Sequence, residues 1–270
     1  MVPPKVLCRL LQKGAEMGRL TGRTALVTGA SRGIGRGIAM RLAADGALVA
    51  VHYGSNETAA NETAEAIKSL GGDALVLGQP LETLGDGAEM FERLDAELRR
   101  NGGTRLNILV NNAGIAPQAG LAETTLELYD EQFAINARAV FFLSQRAAER
   151  MGSGDRIISI SSGVTRQAWP NLLAYTMTKA SVEAMTRTLA KELAPKGVTV
   201  NVVASGVVDT DMNAAWLRAS DESRATAAAV SAFNRIGTPA DVADVVAFVA
   251  SDEARWVTGQ VLDATGGSVL

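Results

Sequence analysis

The chain has 270 residues, 47% apolar and 20% charged, with 26 basic against 29 acidic side chains and a net charge of −3. That apolar content builds a substantial core, and charge this evenly balanced and spread excludes the basic patch that neutralises nucleic-acid phosphates. One cysteine, Cys8, excludes an intramolecular disulfide or multi-cysteine metal site; one histidine, His52, argues against a Ser-His-Asp hydrolase or a histidine-rich zinc site; and no apolar run nears the roughly 20 residues of a membrane span.

Residues 1–20 match no secretory signal, because Arg9 interrupts a short apolar stretch. They are expected to lie outside the fold, as an extension that is disordered or precedes a start at Met17, with the folded domain over 21–270. From residue 24 onward, short β-branched or apolar runs alternate with helical stretches. Strands are expected at 24–28, 47–53, 74–78, 106–111, 156–161, 198–203 and 260–263. Helices are expected near 33–45, 57–70, 86–101, 123–151, 173–195 and 239–251. Such alternation predicts an α/β fold: one doubly wound parallel sheet of about seven strands, order 3-2-1-4-5-6-7, with helices on both faces. No internal repeat or low-complexity linker divides it. Residues 207–237 break the rhythm, and connections this long tend to be functional or mobile. Met212, Trp216 and Leu217 within them either close over a ligand or belong to a surface helical hairpin; both readings stay open.

Between the first strand and the first helix stands Thr28-Gly29-Ala30-Ser31-Arg32-Gly33-Ile34-Gly35. Glycine lets backbone approach a ligand closely, while free N–H groups and the helix dipole point at an anion. At the first strand–helix junction of an alternating chain, this turn points to a dinucleotide pyrophosphate. Its spacing, TGxxxGxG, differs from the general GxGxxG form. The second strand ends in His52-Tyr53-Gly54-Ser55-Asn56, where an NAD-selective site would want an acid for the adenosine ribose; the first acid is Glu57. Arg32 with Tyr53, Ser55 and Asn56 suits a 2′-phosphate, which favours NADP(H) over NAD(H). On the plainer reading Arg32 is a solvated turn residue and His52 a satisfied strand-end side chain.

Tyr175 and Lys179 stand four apart within a predicted helix, on one face. A phenol is a poor acid–base near neutrality, and an adjacent ammonium is expected to lower its pKa. Such a pair is also a common surface contact, so context matters. Ser162 lies thirteen residues before Tyr175, at the carboxyl end of the fifth strand, where doubly wound sheets bind ligands. Asn111-Asn112-Ala113-Gly114 ends the fourth strand, and Asn136 follows in a helix that should begin near the same edge.

The residues TGASRGIG (Thr28–Gly35), NNAG (Asn111–Gly114), Ser162, YxxxK (Tyr175 and Lys179) and Thr258-Gly259-Gln260 together resemble the short-chain dehydrogenase/reductase family over about 20–267. Among its members the chain is most similar to bacterial 3-oxoacyl-(acyl-carrier-protein) reductases and related carbonyl reductases. The resemblance implies a Rossmann-type fold and a cytoplasmic homotetramer acting on a small carbonyl or alcohol, with no nucleic-acid or membrane partner. It also implies roles. Tyr175 exchanges the proton, Ser162 polarises the substrate oxygen, Lys179 binds the nicotinamide ribose and tunes Tyr175, and Asn136 positions a water. Cofactor contacts are expected at Gly29, Ser31, Arg32, Gly33, Ile34, Gly35, Tyr53, Ser55, Asn56, Leu81, Asn112, Ala113, Gly114, Tyr175, Lys179, Gly206, Val208 and Thr210; no metal is expected. Asn112 would meet the adenosine-side ribose, and Val208 and Thr210 the carboxamide.

Three positions depart from the family pattern: Gln79-Pro80-Leu81 where an adenine-binding Asp is frequent, Ser205-Gly206 for Pro-Gly, and Asn107 for Asp. Adenine recognition must then rest on backbone or neighbours. An apolar pocket wall is expected from Ile115, Ala116, Pro117, Val164, Trp169, Val207, Met212 and Trp216. An oxidative NAD(H) enzyme and a non-catalytic dinucleotide sensor are the competing readings; the retained Tyr175 and Lys179 count against the sensor.

Overall fold

The structure is a computed structural model that describes residues 18–268 apart from residue 104. Its strands are β1 (Thr24–Val27), β2 (Leu48–Tyr53), β3 (Asp73–Gly78), β4 (Ile108–Asn111), β5 (Arg156–Ser162), β6 (Thr199–Ser205) and β7 (Val261–Ala264). All pair in parallel, in the order β3-β2-β1-β4-β5-β6-β7. A parallel sheet covered on both faces needs strands apolar on both sides. In β1, Ala25 and Val27 enter one layer and Leu26 the other.

The helices are α1 (Gly33–Ala44), α2 (Glu57–Ser69), α3 (Ala88–Arg100), α4 (Leu126–Phe133), α5 (Ala139–Arg150), α6 (Leu173–Leu193), α7 (Asp211–Leu217), α8 (Asp221–Ala229) and α9 (Pro239–Ala250). Ile38, Leu42, Ile67, Val242 and Val246 of α1, α2 and α9 fill one layer of core. Phe91, Leu94, Leu143, Ala147 and Leu193 of α3, α5 and α6 fill the other. Crossovers of this kind bring the carboxyl ends of β1, β2, β4, β5 and β6 to one edge, where the candidate site residues gather.

Three expectations meet the structure in detail. Most of residues 1–20 lie outside the described residues, but 18–20 belong to the fold. Leu20 is fully buried, its N–H donates to the Asp45 carbonyl (2.7 Å), and Arg19 pairs with Asp45 and Glu253. The helix expected near 123–151 runs without a break over 126–150. A π-turn at Ala134–Arg138 joins α4 to α5 and carries Asn136 fully buried on its inner side; single π-turns of this kind are concentrated at functional sites. Third, residues 207–237 hold two short helices, α7 and α8, with Leu217 buried beneath them.

Candidate active site

The turn after β1 is fixed before any ligand is considered. Gly29 and Gly33 have φ of 62° and 56°, in the left-handed region that side chains rarely adopt. A Cβ on Gly29 would stand 2.9 Å from the Ala113 Cα, and one on Gly35 2.2 Å from the Gly29 carbonyl oxygen. Thr28 Oγ1 accepts from the N–H groups of Asn112 and Ala113, each at 3.0 Å. The Asn112 amide donates back to the carbonyls of Thr28 (2.8 Å) and Gly29 (3.2 Å). The turn and the Asn-Asn-Ala-Gly segment are therefore one hydrogen-bonded unit, with the N-terminus of α1 behind it. Such a cradle, which any side chain would fill, fits the pyrophosphate of a dinucleotide. The Asn112 Nδ2 is engaged by the turn, leaving Oδ1 as the atom that can face a ribose.

Around this turn the other expected cofactor positions take different places. Arg32 is exposed and lies 3.6 Å from Asp211 of α7. The Ser31 carbonyl accepts from Thr63 Oγ1 (3.1 Å), and Ile34 packs into the core. Tyr53 lies over Gly78, where a Cβ would come within 2.5 Å of its hydroxyl. Ser55 and Asn56 are exposed, but the Asn56 side-chain Oδ1 caps α2 by accepting from the Ala59 N–H (3.0 Å). Only its amide then stays available to a phosphate. Leu81 is buried in the core, so only its backbone can reach a ligand. Gly206 packs on the Thr265 backbone and Val208 is buried. Thr210 at the head of α7 sets its methyl group 3.3 Å from where a Cβ on Gly33 would stand. The segment after β6 thus rests on the first turn.

Tyr175 lies in the first turn of α6 and Lys179 one turn later. The Lys179 ammonium is buried, donates to the Ile160 carbonyl at the end of β5 (2.8 Å), and sits 5.6 Å from the centre of the Tyr175 ring. Burial pulls its pKa down to about 8. For Tyr175 the expected direction is corrected: burial pushes the phenol up to about 12, and the group that pulls it back is the Ser162 hydroxyl. Desolvation disfavours the charged form of each group. Near neutral pH the site therefore holds a protonated phenol beside a charged ammonium.

Asn136 holds this arrangement together. Its Oδ1 accepts from the Ile115 N–H (2.9 Å), and its Nδ2 donates to the Ile115 carbonyl (2.8 Å) and to Thr178 Oγ1 (3.3 Å). The side chain is thus bound to protein on both ends. A Cβ on Gly114 would lie 3.1 Å from Asn136 Oδ1, a tight contact, and 3.5 Å from the Lys179 nitrogen, so glycine here leaves the Asn136 amide its room. Sequence reasoning passed over Glu183, on α6 one turn beyond Lys179. It accepts from Ser161 (2.7 Å) and Thr165 (3.0 Å), the hydroxyl residues flanking Ser162, and so ties that strand end to the catalytic helix. Its i+4 spacing from Lys179 was the available signal.

Of the expected pocket wall, Trp169 and Trp216 come together edge to face, with ring centres 6.3 Å apart. Trp169 lies between β5 and α6, and Trp216 on α7, so the contact joins the segment after β5 to the segment after β6. Ile115, Ala116, Pro117, Val164 and Val207 are half-buried, and Met212 is exposed.

A family model described as enoyl-(acyl carrier protein) reductase matches residues 29–268. The crystal structure of the angucycline C-6 ketoreductase LanV with bound NADP superposes with a TM-score of 0.88 at 46% identity, covering 93% of this chain and 97% of that one. The NADPH-dependent aldehyde reductase 2 of Arabidopsis thaliana, described as chloroplastic, is 39% identical over 93% of this chain and 95% of its own length. The hydroxynaphthalene reductase arp2 of Aspergillus fumigatus is 38% identical over 89% and 90%. With the fold, the glycine turn and the Ser162–Tyr175–Lys179 cluster in place, the chain belongs to the short-chain dehydrogenase/reductase family.

Proposed function

We propose that the chain is an NADP(H)-dependent reductase of a ketone carried on a fused-ring aromatic body, working from Gly18 onward as one catalytic domain. The observation that carries the reading is the Tyr175 ring beside the Lys179 ammonium, 5.6 Å from its centre, with the Ser162 hydroxyl as the phenol's partner. NADP(H), when bound, supplies the hydride at its nicotinamide ring. The Ser162 hydroxyl orients and polarises the carbonyl oxygen, and Tyr175 donates its proton to that oxygen as negative charge develops there. The phenolate left behind faces the ammonium in a poorly solvated site, where opposite charges attract strongly. Lys179 also meets the nicotinamide ribose, and Asn136 holds the Ile115 backbone and Thr178 in register around it.

The aromatic substrate class rests on the Trp169–Trp216 pair and agrees with relatives named for a hydroxynaphthalene and an angucycline. Arg32, the exposed cation at the first turn, is the group assigned to the 2′-phosphate. The same reading makes the protein a cytoplasmic homotetramer. Exposed Leu126, Phe141 and Met177 on α4–α6 supply one apolar face, and Trp256, 96% exposed before β7, supplies a second. Among the described residues no helix is long and apolar enough to cross a membrane.

NADPH consumption with a panel of ketones tests the substrate. A fused-ring aryl ketone should show kcat/KM about tenfold above an acyclic 3-oxoacyl thioester, and Trp169→Ala should erase most of that margin, as edge-to-face aromatic contacts are worth about 1 kcal/mol. Preference for the thioester would refute the aromatic pocket, and no turnover of any ketone would refute the reductase. Arg32→Ala should weaken NADPH binding about tenfold while leaving NADH binding unchanged, since a charge-assisted bond to the phosphate is lost; equal affinity of the native chain for both cofactors would contradict the assignment.

Lys179→Met should abolish turnover and yet stabilise the fold by about 1–2 kcal/mol at pH 7. Burial of the ammonium costs about 3 kcal/mol, offset in part by its bond to Ile160. Native stability should rise as pH goes from about 8 into the ordinary lysine range, because there the unfolded chain binds the proton that the folded chain has released. The variant should lack that slope in denaturant titrations; an unchanged slope would show that Lys179 is not desolvated.

A further inference from the structure

His52 is the sole histidine of the chain and the penultimate residue of β2, 1% exposed. Both ring nitrogens have backbone partners. Nδ1 lies 3.1 Å from the Gly29 N–H, which donates to it, and Nε2 lies 2.9 Å from the Gln79 carbonyl oxygen. An amide N–H can only donate and a carbonyl can only accept. Both contacts are met at once only by the neutral tautomer that carries its proton on Nε2. The backbone of the same residue joins in, since the Ala30 N–H donates to the His52 carbonyl at 2.8 Å. Two successive residues of the glycine turn are thus tied to one residue of the neighbouring strand. Burial also holds the imidazole pKa down, to about 4, so the ring stays neutral through the physiological range.

Gly29 opens the pyrophosphate cradle, and Gln79 begins the Gln79-Pro80-Leu81 segment, where adenine recognition has to rest on backbone. The imidazole spans the two. We propose that His52 is a positioning residue for the cofactor, a bridge that fixes the first glycine of the cradle and the carbonyl of Gln79 at one separation so that the adenosine half of the dinucleotide meets a preformed site. This rests on the reading that the turn holds NADP(H). If the Nδ1 acceptor is lost, the Gly29 N–H is left buried without a partner, which the turn can relieve only by moving. That movement displaces the N–H groups aimed at the pyrophosphate.

Two substitutions separate the halves of the bridge. In His52→Asn the side-chain oxygen stands near the place of Nδ1 and keeps an acceptor for Gly29. In His52→Gln the amide nitrogen stands near the place of Nε2 and keeps the donor to Gln79 but no acceptor for Gly29. NADPH dissociation constants, read from cofactor fluorescence well below the melting temperature, should rise about tenfold for His52→Gln and less than about threefold for His52→Asn. For both variants kcat at saturating NADPH should stay within about twofold of native. Equal losses in the two variants would mean simple packing and overturn the proposal, as would native affinity in both or the reverse order. Nitrogen NMR of the untagged native protein gives a readout that needs no variant, because one histidine yields one assignment. It should show Nε2 protonated and Nδ1 bare from pH 8 down to pH 5; a proton on Nδ1 would overturn the bridge. Native binding with unaltered variants would reject His52 alone, whereas a native chain that fails to bind NADPH would reject the cofactor site and the bridge together.

Discussion

A charged amine held out of water organises this protein. Among the described residues the Lys179 ammonium donates to one acceptor, the Ile160 carbonyl of β5, and the Gly114 backbone passes beside it. Keeping an ammonium there costs stability that a purely structural residue would not demand, and the surroundings are arranged so that the charge is useful. The aromatic face of Tyr175 lies within cation–π range of it. The π-turn carries Asn136 inward to bind Ile115 and Thr178, which fixes the segment after β4 against α6. Glu183 does the same for the end of β5 through Ser161 and Thr165. Strand ends β4 and β5 and helix α6 thereby converge on one protonated phenol.

The cofactor side follows the same logic with different atoms. Thr28, Asn112 and His52 hold the glycine turn by side-chain to backbone bonds from three separate stretches of chain. A turn whose conformation is fixed in this way does not have to be ordered by its ligand, so less binding energy is lost to entropy. Arg32 is paired with Asp211 on α7, and Thr210 rests on Gly33, so the segment that carries Trp216 over the cleft starts from the cofactor turn itself.

Much of this was legible in the residue order. Alternating apolar runs and helical stretches gave the strand order, because a parallel sheet buried on both faces admits few sequences and right-handed crossovers admit few topologies. The glycine turn, Ser162, Tyr175 and Lys179 were legible because each needs a particular residue type at a fixed spacing. What escaped depends on contacts between distant segments. Nothing near Asn136 marks a π-turn, since the extra residue is absorbed by packing against Ile115. The direction of the Tyr175 shift escaped because charge at i+4 was weighed without the burial that outweighs it. The capping role of Asn56 Oδ1 on α2 escaped too, although its side-chain Nδ2 can still donate to a phosphate. Gly18 to Leu20 carry no strong pattern, and they join the fold through Leu20 in the core and through bonds to Asp45 and Glu253.

The central claim, that a half-buried and protonated Tyr175 delivers the proton in carbonyl reduction, is tested most directly by pairing NADPH binding with single-turnover reduction in Tyr175→Phe. Removing one oxygen should leave the NADPH dissociation constant within about twofold of native and slow ketone reduction by about a thousandfold or more, the scale set by loss of a general acid. A variant that binds NADPH normally and reduces the ketone at close to the native rate would contradict the account.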